Sequence, residues 1–237
     1  IGPRAADHVP ATRHLKGCAA FGALADVSVL TPGVLGTTGL EVAELVRGAV
    51  ETVRPDLVVA VDALASQSLG RVCTTVQLTD AGIVPGSGVG NHRRALTRET
   101  LGVPVLAVGV PTVVDAATLA LDLLDEAGAD LPDPAALRGQ GSVMVTPRDI
   151  DARAGQLARV VGFGVGLALQ PSLSLDELRA LIANTDRQAG TMFNGALVKI
   201  DRRFDELFQR LFGGGEAHLK AQEDMDLWEA GVEIVAR

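Results

Sequence analysis

The residues best placed to do chemistry lie between positions 56 and 91. The stretch Asp56-Leu-Val-Val-Ala-Val-Asp62-Ala-Leu-Ala-Ser66 runs through five consecutive apolar residues, Leu57 to Val61, and then meets a carboxylate. An unbroken apolar run suits a parallel strand covered on both faces. In open parallel sheets ligands bind beyond the carboxyl ends of the strands. Asp62 is therefore expected at the end of a buried strand and is the leading candidate for acid–base work. Two neighbouring carboxylates that share a proton could let one activate water while the other polarises a carbonyl. Asp62 would be one half of that device. An Asp after a strand also commonly caps the helix that follows, so residue type alone leaves both roles open.

The second feature is the glycine-rich loop Asp80-Ala-Gly-Ile-Val-Pro85-Gly-Ser-Gly-Val-Gly-Asn91. It fails the dinucleotide fingerprint, because Asn91 stands where the last glycine belongs, and it lacks the Lys-Ser/Thr pair of a phosphate loop. Gly86, Ser87, Gly88 and Asn91 could instead offer backbone N–H groups to a peptide. A tight turn that needs glycine accounts for them equally well. His92, Arg93 and Arg94 come next, which makes anion or carboxylate binding a further use of this segment. Asp80, His14 and Asp115 are secondary candidates for the cleft. Asp115 stands three residues after Thr112 and fits a helix-cap partner too, as does Glu41 after Thr38. His8 and His14 have no metal spacing and no His-Glu-x-x-His occurs, so neither metal nor cofactor is expected. Ser87 and His92 are close in sequence, but nothing else supports a Ser-His-Asp arrangement.

Composition narrows the class. The 237 residues are 47% hydrophobic and 3% aromatic, with no Tyr and a net charge of −8. Mean hydropathy is +0.27. Such a chain has a core rich in Ala, Val and Leu, and lacks the basic patches and stacking rings of a nucleic-acid binder. Cys18 and Cys73 are far apart, which suits a reducing compartment; Cys73 reads as a buried small hydrophobe. There is no signal peptide and no apolar run long enough to span a membrane. A start at Ile1-Gly-Pro-Arg, without Met, reads as the interior of a longer protein.

The elements that must position these residues follow from pattern. Helix is expected from Pro3 to Leu15, strand over Asp26 to Leu30, and helix to Val53 opened by a Thr38–Glu41 capping box. Strand is expected to Asp62, over Val72 to Leu78 as an edge, and over Pro104 to Val110, with a helix capped by Thr112 and Asp115 running to Ala127. After a Pro/Gly/Asp-rich linker, Ser142 to Val145 reads as a short strand. Thr146 and Pro147 then open a helix to Leu169, in which Gly162, Gly164 and Gly166 imply close packing. Ser174 and Glu177 form another capping box. Residues 185–237 differ in texture: Leu197, Ile200, Phe204, Leu207, Phe208 and Leu211 recur at helical spacing and Gly213-Gly-Gly215 stops the helix. This tail reads either as an interface or as a helix packing on its own domain. The alternation predicts an α/β fold with a twisted, mainly parallel sheet between helical layers. It also predicts a domain over 1–184 and a helical tail over 185–237.

Seven blocks together resemble the spore germination protease family. They are Thr12-Arg-His-Leu15, Thr31-Pro-Gly-Val-Leu-Gly-Thr-Thr-Gly-Leu-Glu41, Pro55-Asp-Leu-Val-Val-Ala-Val-Asp-Ala-Leu-Ala65, the loop from Asp80 to Asn91, Glu99-Thr-Leu-Gly-Val-Pro104, Gly109-Val-Pro-Thr-Val-Val-Asp-Ala116 and Val143-Met-Val-Thr-Pro-Arg148. The blocks are colinear and run from Ile1 to roughly Asn184. The resemblance implies an endopeptidase of small acid-soluble spore proteins, made as a zymogen, assembled as a homotetramer and working in the developing spore core. It implies a fold similar to hydrogenase maturation peptidases and an aspartic-type mechanism with two catalytic aspartates. One role carries over to Asp62. The other aspartate belongs to a Thr-Pro-Asp-Ala-Leu-Gly-Pro block, of which this chain holds only the Ile1-Gly2-Pro3 end, so that residue and the first strand are expected to be missing. The competing readings are an inactive fragment with a role in assembly, and a nucleoside- or phosphate-handling α/β enzyme, which the absent phosphate motifs disfavour.

Overall fold

The computed structural model describes residues 1–16, 22–87, 93–129, 143–222 and 231–236. It forms two compact units, Ile1–Leu178 and Arg179–Arg237. The sheet of the first unit is built on two long strands. Strand β1, Val58–Ser66, pairs in parallel with a longer strand, Val105–Asp115, in a register that runs from Val58↔Val105 to Ser66↔Val114, with an irregularity between Leu64 and Ala65. Strand β2, Gln77–Thr79, lies antiparallel on the other side of Val105–Asp115, which is therefore β3 and the centre of the sheet. Strand β4, Met144–Val145, pairs antiparallel with the end of β3. The α/β class stands. Only one of the three pairings is parallel, so the sheet among the described residues is mixed rather than mainly parallel.

Both faces of β1 and β3 are apolar because both are covered. Helix α1 is Gly2–Ala6, α2 is Leu35–Thr38, α3 is Val42–Val53 and α4 is Arg98–Leu101. Helix α5, Ala116–Glu126, follows β3, and α6 is Ile150–Leu169. On one face Val59 and Val61 pack with Val108, Val110, Ala5, Ala158 and Val161. On the other, Val58 and Ala60 pack with Leu96, Leu101, Val105, Val42 and Val46. Successive side chains of a strand alternate faces, so an uninterrupted apolar run serves both layers.

The glycines of α6 do what their clustering implied, with one exception. A Cβ on Gly162 would stand 2.4 Å from the Ala5 carbonyl oxygen and 2.7 Å from His8 Cβ, so α1 can lie on α6 only where a side chain is absent. Gly166 meets Leu178 in the same way, whereas Gly164 faces open space.

Several local expectations are corrected. Pro10 interrupts the first helix, which ends at Ala6, and a separate 3-10 turn covers Arg13–Leu15. Asp26–Leu30 belongs to no strand. Its bonds go elsewhere: the Val27 carbonyl accepts from Thr12 N–H and Arg13 N–H, at 3.0 Å each. Thr38 ends α2 and turns its hydroxyl to the Val34 carbonyl, leaving Glu41 to precede α3 without a capping box. Residues Leu69–Arg71 form a 3-10 turn and Cys73 has a positive φ of 55°, which confines β2 to three residues. Thr146 donates to the Thr112 carbonyl instead of capping, and Asp149 precedes α6. The Ser174–Glu177 box does form: Ser174 N–H and Oγ both donate to Glu177 Oε2, at 2.8 and 2.7 Å. It opens α7, Leu175–Phe212, a single helix of 38 residues.

In the second unit a hairpin of β5, Ala217–Ala221, and β6, Val232–Ala236, is antiparallel. A lone two-stranded hairpin is marginal in water. Here the helix holds it through carboxylates: Asp201 accepts from Leu219 N–H at 2.7 Å and Asp205 from Ala217 N–H at 3.0 Å. The Leu219 N–H keeps the Asp201 carboxyl below its usual range, with His218 adding to the effect.

One buried side chain fastens Ala25 to the end of α6. Gln170 is 1% exposed. Its amide nitrogen donates to the Ala25 carbonyl at 2.8 Å and its oxygen accepts from Ala25 N–H at 2.9 Å. Replacing it removes the partner of the Ala25 N–H, whereas the Ala25 carbonyl keeps the Thr12 hydroxyl at 2.6 Å; one unsatisfied group costs about 1–3 kcal/mol. Gln170→Leu is expected to lower stability by about 1–3 kcal/mol in urea unfolding; a loss under about 0.5 kcal/mol would show that Ala25 finds water instead.

Candidate functional site

Beside β1 lies a groove of about 620 Å³ contained within the first unit. One wall is β1 itself, from Val59 to Asp62; another is the stretch from Val27 to Gly36; α1 and α6 close it below. Strand β1 pairs only with β3 among the described residues. Val58 N–H donates to the Pro104 carbonyl at 3.0 Å. Because peptide groups in a ladder alternate direction, those of Val59 and Val61 face the groove. Gly2 crowds the Val61 carbonyl oxygen, from which a Cβ would be only 2.8 Å away.

The groove is largely apolar, and its charged side chains among the described residues are Asp62, Glu41 and Arg93. Asp62 is not at a strand end, as its sequence position suggested. The strand runs on to Ser66, so Asp62 sits in mid-strand, in register with Gly109. Nor is it a helix cap, since a 3-10 turn at Leu69–Arg71 is the next helical element. Gly109 carries no side chain where Leu64 lies across it: an added Cβ would fall 2.2 Å from Leu64 Cδ1. The half-buried Asp62 carboxyl is raised above its ordinary pKa near 3.8, chiefly by loss of solvent. The Ala63 N–H, which donates to its Oδ1 at 2.8 Å, and the Ile1 amino group oppose that rise. A desolvated carboxyl with a raised pKa keeps its proton to higher pH than an exposed one.

The remaining sequence candidates are dispersed. Gly86 lines the groove with Pro85, but Ser87 is exposed and does not. Gly88 and Asn91 lie outside the described residues. Asp80 and His14 are exposed and away from the groove. Asp115 accepts from Ala117 N–H at 2.9 Å and caps α5. Glu41, read from sequence only as a cap partner, and Arg93, read as an anion binder, line the groove instead. Arg93 Nη1 stands 3.5 Å from Glu41 Oε1, with their side chains 30% and 27% exposed. The run of three basic residues after the glycine-rich loop was the available signal for Arg93. Among the described residues no group of three or more His, Cys, Asp or Glu is placed to hold a metal, and no helix is long and apolar enough to cross a membrane.

The strand edge, the apolar groove and the half-buried carboxyl converge within one α/β unit. Comparison with known proteins identifies the family. The family model described as germination protease matches residues 1–127, more than half of the chain, and the chain belongs to that family. It is 41% identical over 210 residues to the germination protease of Caldanaerobacter subterraneus subsp. tengcongensis, covering 77% of this chain and 65% of that protein. To the germination protease of Clostridium acetobutylicum it is 39% identical over 210 residues, covering 77% and 64%. To that of Bacillus subtilis it is 48% identical over 128 residues, covering 53% and 35%. The chain thus spans just under two thirds of the length of the first two relatives.

Burial of Asp62 has a consequence for stability. With its folded pKa raised, the carboxyl favours folding below its unfolded value, and that contribution is lost as pH rises through the raised folded value. Once ionised, the half-buried carboxylate is a burden that Asn would not carry. Asp62→Asn is expected to melt above the wild type at pH 7, with the gap closing below about pH 4. A wild type that melts higher at pH 7 would mean that the carboxylate is stabilised in the fold.

Proposed function

We propose that this chain is the catalytic core of a germination protease that hydrolyses small acid-soluble spore proteins, with Asp62 as one of two carboxylates acting on the scissile bond. The observation that carries this reading is the half-buried Asp62 carboxyl, its pKa raised by desolvation, on the wall of an apolar groove. Amide hydrolysis needs water made nucleophilic and a proton supplied to the leaving nitrogen. Two carboxyls close enough to share a proton meet both needs, since they do not ionise together. The ionised one draws a proton from water. The protonated one hydrogen-bonds the carbonyl oxygen as charge builds there. Their titration belongs to the pair.

The second carboxyl, in this reading, is the aspartate of the family's Thr-Pro-Asp-Ala-Leu-Gly-Pro block. Ile1 lies close enough for its amino group to act on Asp62, and Gly2 packs on Val61. Polypeptide joined ahead of Ile1 would therefore lie beside Asp62. The same geometry supports a further strand between β1 and Val27–Leu30, parallel to β1 because it would finish at the same end. Such a strand would occupy the groove along Val59 to Val61 and leave the Asp62 end to substrate. Assembly as a homotetramer, synthesis as a zymogen and action in the spore core belong to the same reading.

The test uses protein that carries the upstream block and follows digestion of a small acid-soluble spore protein. Asp62→Asn is expected to cut about 10²–10⁴-fold more slowly with unchanged circular dichroism; digestion at the parent rate by that variant removes Asp62 from the mechanism. The strand has its own readout. Amide exchange at Val59 and Val61 should be slower with the upstream residues than in the chain that starts at Ile1, and equal exchange would leave the groove without its proposed strand.

A further inference from the structure

The long helix α7 carries a pattern that the groove does not use. Phe193, Leu197, Ile200, Phe204, Leu207 and Leu211 follow one another at intervals of four and three residues in strict alternation. Heptad spacing of this kind keeps an apolar seam in line with a second helix as the two coil. The seam is also narrow. A helix that faces its own core carries a broader stripe, with apolar residues along a flank as well. Here the flanks are mostly polar, with Arg203 and Arg210 on one side and Asn194 and Asp201 on the other.

The hairpin of the same unit leaves this seam open. It is held on the Asp201 flank, where Asp201 accepts from Leu219 N–H and Asp205 from Ala217 N–H. Phe208 and Phe212 pair on that flank too, their ring centroids 4.7 Å apart. Arg203, on the opposite flank, is tied back to Glu206 at 2.8 Å. Between the flanks Ile200 and Leu207 are each 56% exposed, and Leu211 is 76% exposed. Apolar side chains in one line over about five turns of helix therefore face solvent in the single chain.

A seam with heptad spacing fits another helix with the same spacing, and a second copy of α7 supplies one. The flanking charges choose the direction. An antiparallel pair with all six seam residues in contact would bring Arg203 of both copies together at its centre, and likewise Asp201. Like charges set against each other across an interface are costly. A parallel pair sets each flank against the opposite one and avoids both contacts. We propose that α7 is a self-association face, through which two copies of this chain pair as parallel helices along the seam from Phe193 to Leu211. The seam lies outside residues 1–127, which the family model matches, so the pairing does not rest on the peptidase reading.

The experiment measures the mass of full-length protein that carries the upstream block, by light scattering after gel filtration. Ile200→Glu combined with Leu207→Glu places carboxylates in two layers of the seam and is expected to halve the mass of the assembly. The halving is expected whether the wild type is a dimer or a tetramer, so it is independent of the tetramer reading. Met192→Glu, at a position 77% exposed and off the seam, should leave the mass unchanged. Circular dichroism confirms that the variants keep their helix. Direction has its own readout. Leu211→Cys, oxidised with diamide, should give a disulfide-linked dimer above the background that Cys18 and Cys73 set in the wild type. An antiparallel pair would hold those two thiols about 27 Å apart. A folded double variant with the wild-type mass overturns the proposal, as does a monomeric wild type, an equal loss of mass in Met192→Glu, or a Leu211→Cys variant that gives no dimer above background. Should the double variant fail to fold, the cross-link decides alone.

Discussion

The parallel ladder between β1 and β3 is the constraint on which the site depends. Its register sets Asp62 opposite Gly109, and Gly109 leaves room for Leu64 to fold across the sheet. Since alternate residues face opposite layers, the same register sends Val59 and Val61 into the α1–α6 layer and Val58 and Ala60 toward α3 and α4. A shift of one residue would exchange these sets. It would carry Asp62 into the closely packed α1–α6 layer, where a carboxyl has no solvent route and no partner. The apolar packing on both faces therefore fixes the orientation of the one polar side chain that interrupts the run.

Much of this was legible in the chain. The run Leu57 to Val61 implied a strand covered on both sides, the glycines of α6 implied a close helix contact, and Ser174 with Glu177 marked a helix start; all three are in the structure. Several failures come from competing hydrogen-bond partners, some local and some distant in sequence. Thr38 and Thr146 sit at the right spacing to cap helices, but their hydroxyls find carbonyls of Val34 and Thr112 first. Asp26–Leu30 alternates like a strand, yet a ladder needs a neighbour, and both backbone groups of Val27 are taken by Thr12 and Arg13. Strand β1 was placed four residues short because a carboxylate in an apolar run looks like an end. It is tolerated in mid-strand because the groove leaves that side chain half exposed.

The site shows the same mixture. Asp62 could be singled out by residue type and context, and so could a glycine-rich wall, of which Gly86 and Pro85 line the groove. Asp80, His14 and Asp115 could not be separated from Asp62 by sequence, since each is a titratable group near a turn or an element boundary. Only the topology distributes them, two to solvent and one to a helix cap. The pairing of Glu41 with Arg93 was hidden for the opposite reason. They are 52 positions apart and meet only because the segment before α3 and the segment after the glycine-rich loop border the same groove.

The groove also draws on sequence outside the residues that the family model matches. Residues 1–127, which the family model matches, contain α1, the Val27–Gly36 wall, β1, Glu41 and Arg93. Helix α6 lies beyond them, yet Val161, Gly162, Val165 and Leu169 complete the lining. Gly162 sets how closely α1 approaches α6, and α1 in turn rests on the Val61 carbonyl, one residue from Asp62. The depth of the groove, and with it the desolvation that raises the Asp62 pKa, is thus governed partly by small residues on a helix that carries no charged group of the site. Tight packing transmits such changes because interiors have little free volume in which to absorb them. The chemistry of one carboxyl is in that sense a property of the helix layer beneath it as much as of the strand that bears it.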